Sequence, residues 1–231
     1  MKTLVLLLTA ASSLFFSGCA SVSVKTEGHA GRQPVSKPSK IYVADFDTTK
    51  SVFNIAGDRK NDPAAFKKST AALLTHYLVL NLDKHVAPAA PAPGRLSGPG
   101  WLVTGEFVRV NTGSRVLRAG LGLGAGGTKM ETRVAVFDLA NRAKPFLTFE
   151  TTGGSNAMPG LLSSTGPVSA AFSMMTQAMM GVSDDAARSS RMITGELSEY
   201  LASHGWIAKN KVYESKKLGK YQLVHEQWIG N

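Results

Sequence analysis

Between Asp62 and His85 the sequence carries an apolar stripe, and the need to cover that stripe is the strongest constraint on the fold. Phe66, Thr70, Leu73, Leu74, Tyr77 and Leu78 recur at helical spacing and share one face. Asp62 is a good N-cap, and Pro63 suits the first helical position, where its missing N–H costs nothing. A lone helix cannot bury such a face, so strands are required. Lys40 to Phe46 is a continuous apolar run of the kind found in a buried strand. Trp101 to Val110 predicts a second strand. Met130 to Leu139 predicts a third, with Met130, Thr132, Val134 and Val136 on one face and Glu131, Arg133, Ala135 and Phe137 on the other. Phe146 to Thr151 predicts a fourth, and the short turn before it makes the last two an antiparallel hairpin. A second helix is expected over 184–204. Ser183 is read as its cap, Asp184 and Asp185 as first-turn acids that suit the helix dipole, and Gly205 as the left-handed residue past its end. Residues 86–100, with four prolines, read as a loop. The result is one α/β domain over about 40–207: a mixed sheet of at least four strands, with an antiparallel hairpin, packed by two helices.

The first eighteen residues read differently. Met1-Lys2 is a charged start, and Leu4 to Phe16 is apolar apart from Thr9, Ser12 and Ser13. The run is shorter than the about 20 residues that span a bilayer as a helix, and it precedes small residues, as in a secretory signal. Phe16-Ser17-Gly18-Cys19 resembles the bacterial lipobox, although Leu is the usual first residue there. The resemblance implies cleavage between Gly18 and Cys19, and a multiply acylated Cys19 that holds the protein firmly to a membrane. Ala20-Ser21 lacks the Asp associated with inner-membrane retention, so the expected address is the outer membrane, facing the periplasm. The chain has one cysteine. With Cys19 lipidated, no disulfide or cysteine metal site can form within it. Residues 19–39, rich in Ser, Gly, Lys and Pro, read as a flexible tether, and 208–231 as a basic, polar tail. The formal net charge of +10 suits nucleic acid, anionic lipid or an acidic polymer. For an exported protein nucleic acid is the poorest of these, and a solvated basic surface is the plainest reading.

Motifs for catalysis or cofactors are missing from the sequence. Gly122, Gly124 and Gly127 have the G-x-G-x-x-G spacing, but a strand pattern follows instead of the helix whose N-terminus would bind a pyrophosphate. The five histidines form no metal-ligand pair, and no G-x-S-x-G elbow occurs. Asp45 and Asp47 at a strand end offer a general base or cation site, though loop solvation or an N-cap explains such a pair more simply. Two segments stand out. Residues 151–183 contain no charged side chain, and they are rich in Gly and Met. Such a stretch suits contact with a membrane or a partner, or a segment that covers the core. Arg115 and Arg118 stand three apart before Gly122 and Gly124, where alternating glycines bring backbone N–H groups towards any anion the arginines attract. That segment is expected at a sheet edge, in contact with a partner or a lipid headgroup. A glycine bulge with solvated arginines is the alternative.

Val103-Thr104-Gly105-Glu106-Phe107, Asn111-Thr112-Gly113-Ser114-Arg115, Gly124-Ala125-Gly126 and Val134-Ala135-Val136-Phe137-Asp138 resemble the bacterial domain-of-unknown-function family numbered 4410, and Tyr42-Val43-Ala44-Asp45-Phe46 fits its first strand. The resemblance runs over about 40–205 and implies an envelope lipoprotein without an assigned activity. The order of elements is also similar to lipoprotein domains of the curli secretion channel and of cell-wall-synthase activators, a likeness of fold pattern that does not fix function. The expectation is a non-enzymatic lipoprotein that binds an envelope protein or its own copies, with no nucleic acid, metal or small-molecule cofactor. The alternatives are a subunit of an export pore, an activator of wall synthesis, or a wall-glycan hydrolase using Asp45 and Asp47.

Overall fold

The computed structural model describes residues 22–28, 30–55, 62–94, 96, 98–113, 128–155 and 169–214; for 22–27, 154–155 and 169–181 it describes the backbone alone. They form a single α/β domain. Seven strands make one mixed sheet: β1 (Val22–Gly28), β2 (Ile41–Val43), β3 (Val52–Asn54), β4 (Ala89–Pro91), β5 (Trp101–Asn111), β6 (Thr128–Asp138) and β7 (Leu147–Ser155). Two helices, α1 (Pro63–His85) and α2 (Ser169–Ser203), pack on it. The strand order is β1-β7-β6-β5-β2-β4, with β3 beside the far end of β5.

α1 has the bounds its sequence predicts. The Asp62 carboxylate accepts from the backbone N–H of Ala64 at 2.9 Å and of Ala65 at 3.4 Å. Such a cap stabilises a helix by about 1 kcal/mol. Leu74, Tyr77, Leu78 and Leu82 are buried on its inner face. In β6, Met130, Thr132, Val134 and Val136 are buried, while Glu131, Arg133, Ala135 and Phe137 line the opposite, less covered face. β6 and β7 form the expected antiparallel hairpin. Gly105 sits where β5 crosses the Phe46 ring, and a Cβ there would collide with that ring and with the Arg133 carbonyl.

Three expectations need correction. The stretch read as a tether contains β1, which pairs antiparallel with β7, so the sheet begins well before residue 40. Alternating Val22, Val24 and Thr26 carry that signal among polar neighbours. The proline-rich stretch 86–100 contains β4, a three-residue edge strand parallel to β2; proline is tolerated there because an edge has an N–H side that needs no partner. α2 begins at Ser169 and not at Ser183. Ser183 lies inside the helix, its hydroxyl 2.8 Å from that of Tyr77 on α1. Asp184 and Asp185 are therefore mid-helix residues. The charge-free stretch is thus helical from Ser169 onwards.

The two ends of the sandwich differ. Tyr77 meets Ser183 and Asn81 meets Ser190, so the helices run parallel. Their C-termini lie at a lower end, with the starts of β2, β5 and β7. Here Trp101, Phe146, Tyr200, His204 and Trp206 stack in succession, with Trp101 to Phe146 at 4.8 Å and Tyr200 to His204 at 4.2 Å between ring centroids. α2 closes with Gly205 at φ +70°, Trp206 N–H donating to the Leu201 carbonyl and Gly205 N–H to that of Ala202. Gln33 binds the Phe146 carbonyl and the Tyr200 hydroxyl, drawing the chain after β1 across this end.

Candidate functional site

The upper end holds the first residues of β1, β6 and α1 and the last of β5 and β7. Register fixes one row across it: Val22 opposite Gly153, Gly153 opposite Met130, Met130 opposite Val110, and Val110 opposite Phe53. Gly18, Cys19, Arg115, Arg118, Gly122 and Gly124 lie outside the described residues, but the points where their segments join the sheet do not. Val22 is three residues after Cys19. The connection that carries both arginines leaves after Gly113, at φ +77°, whose N–H donates to the Asn111 side chain at 3.0 Å. It returns at Thr128.

Asp45 and Asp47 are committed to local structure. Asp45 accepts the Thr75 hydroxyl at 2.6 Å, which ties the end of β2 to α1. Asp47 accepts the Thr49 N–H and hydroxyl, each at 2.8 Å, and these bonds, the backbone one first, hold its carboxyl below the ordinary range. Both line an open depression of about 450 Å³ with Thr48, Lys67 and Lys68. Among the described residues, no group of three or more His, Cys, Asp or Glu could hold a metal ion, and no helix is long and apolar enough to cross a membrane.

Two arrangements escape a reading of the sequence. On the open face of the sheet, Arg133 bridges Glu106 at 2.6 Å and Glu150 at 2.7 Å, one on each neighbouring strand. The alternation in β6 gives the face of Arg133, but only strand register supplies its partners. The other arrangement is Asp185. It is buried against the sheet near the upper end, with Arg188 Nη1 at 3.5 Å. Burial pushes its carboxyl up to about 7, opposed by a hydrogen bond with Thr128 and by the Arg188 charge. Ser189 beside it is fully buried, and its hydroxyl has no hydrogen-bond partner. No signal in the sequence marks this site, because the length of α2 is not legible there.

Residues 41–182 match the model of a family described as a domain of unknown function (DUF4410). The chain belongs to this family. The DUF4410 match opens at β2 and closes at Val182, so β1, Asp185 and the last rings of the lower end (Tyr200, His204 and Trp206) lie outside the matched span, while Trp101 and Phe146 lie within it. No curated protein matches the sequence. Among solved structures, a PelC dodecamer from Paraburkholderia phytofirmans is 12% identical over 72% of this chain and 96% of that one, with a TM-score of 0.34. A structure titled only as an uncharacterized protein is 12% identical over 72% and 99%, with a TM-score of 0.35.

Proposed function

We propose that this DUF4410 protein is an envelope lipoprotein, anchored to the outer membrane through lipid on Cys19 and facing the periplasm, whose domain binds an envelope protein or further copies of itself. The observation that supports the reading is the register of β1. Three extended residues reach about 10 Å. A lipid on Cys19 therefore sits close to Val22, and the upper end of the sheet lies near the bilayer. The segment with Arg115 and Arg118 and the charge-free stretch after Ser155 both leave the sheet at that end. Basic and uncharged segments suit an anionic headgroup layer or a partner beside it.

Cys19→Ser is expected to abolish labelling by a radioactive fatty acid and to move the protein out of the membrane fraction. A mutant that is labelled and pelleted like wild type removes the anchor from the proposal. Crosslinking in cells then tests the binding role. Arg115→Ala with Arg118→Ala should leave the melting temperature unchanged and lose the crosslinked product; a silent double change returns those arginines to solvent. An export-pore subunit draws on the same placement, and it requires the crosslinked product to be a closed set of identical chains.

A further inference from the structure

A carboxyl group in the middle of a long helix, 1% exposed, needs an explanation that helix formation does not provide. Asp185 faces the sheet. From its own helix it meets the charges of Arg188, at 3.5 Å, and of Asp184. From β6 it meets the Thr128 hydroxyl. From β7 the nearby surface is Gly153, where a Cβ would stand 3.5 Å from Ser189 Oγ and 3.9 Å from Arg188 Cβ. Arg191, nearly two turns on, meets the charges of Tyr213, Arg188 and Asp184. A single arginine at the limit of hydrogen-bonding distance is a weak partner for a buried carboxylate, and burial then favours the neutral acid.

Position gives this chemistry a consequence. Thr128 is the first residue of β6, immediately after the connection that begins past Gly113. We infer that Asp185 is a proton-operated clamp: as the neutral acid it stays buried between α2 and the first residues of β6, and once the proton is lost the charge is drawn towards water, against its bond to Thr128, and loosens them. The clamp thus sets how firmly the upper end of the sheet is held. It makes no use of a lipid on Cys19, and it stands whether or not the protein is anchored.

The sign follows from linkage. Opened, Asp185 faces water and ionises in the ordinary carboxylate range; closed, its carboxyl is held up to about 7. Protection is therefore full below the ordinary range, declines as pH rises, and levels off once pH passes the closed-state value.

The test is made on the full-length chain. Carbon NMR of aspartate-labelled protein should find one carboxyl titrating near neutrality, absent from Asp185→Asn. Hydrogen exchange of residues 128–130, corrected for intrinsic rate, should lose about tenfold in protection between pH 6 and 8, the effect of one pKa unit. In Asp185→Asn the same residues should stay level. Thr128→Val removes a hydrogen bond that favours the ionised form, so it should move the NMR midpoint upwards; this variant serves if Asp185→Asn does not fold. A carboxyl that titrates in the ordinary acid range, or protection that runs parallel in wild type and Asp185→Asn, overturns the clamp.

Discussion

The lower end of the sandwich is closed by rings and backbone caps, whereas the upper end buries polar groups. Below, Trp101 and Phe146 are almost wholly excluded from water, and Tyr200, His204 and Trp206 continue the stack. Towards the upper end, Thr112, Thr128, Thr132, Thr151, Asp185 and Ser189 are buried. Apolar burial gains free energy without geometric conditions, while a buried polar group costs free energy unless it is matched. The rings below should thus contribute more stability than the polar groups above, whose energy depends on protons and partners. Regions that act on something else are drawn from the less stable parts of a fold.

The largest effect is expected at the closed end. Phe146→Ala removes a ring packed 4.8 Å from Trp101 and 5.1 Å from Tyr200. It should lower unfolding free energy in urea by about 3–5 kcal/mol, the usual range for a buried aromatic truncated in a core. A loss under about 1 kcal/mol, well below that range, would mean that this end is not the stable one.

How much of this is legible in the sequence follows from what each signal depends on. α1 is readable because Asp62, Pro63 and the apolar stripe are local, and the hairpin because alternation in β6 is local too. β1 escapes because a strand of Val, Ser, Lys and Thr among Gly and Pro gains its stability from β7, far along the chain. The start of α2 escapes because Gly, Ser and Met without charges resemble a loop when read locally. The candidate site divides in the same way. Arg115 and Arg118 can be named from the sequence, but the place where their segment leaves the sheet, at the end where β1 begins, needs register. Asp185 cannot be found at all, because a helix read as starting after Ser183 leaves it in an exposed first turn, and only the full length of α2 makes it a mid-helix residue facing β6.

The Thr132 and Thr151 hydroxyls, 2.7 Å apart and buried between β6 and β7, test the polar half of the comparison. Thr132→Val leaves Thr151 without its partner and should cost about 1–3 kcal/mol. Changing Thr151→Val as well removes both polar groups and should recover most of that loss. Equal losses in the single and double variants would show that packing, not pairing, governs this region.

The smallest effect is expected on the open face between the two ends. Arg133 holds Glu106 and Glu150 with good geometry, and its side chain is 47% exposed. Each partner remains in contact with water, so Coulomb attraction is weakened and the solvated ions lose little when separated. Arg133→Ala should therefore lower unfolding free energy by less than about 1 kcal/mol. The difference should shrink in about 1 M salt, where screening acts within about 3 Å. Urea titrations at two salt concentrations make the measurement. They also sharpen the comparison in a direction that stability alone does not reach. If the face were covered by a second copy, the bridge would be shielded from solvent, and the arginine change would cost several times more, increasingly so at higher protein concentration. A small, salt-sensitive and concentration-independent loss leaves the face in water and directs the search for a partner to the upper end.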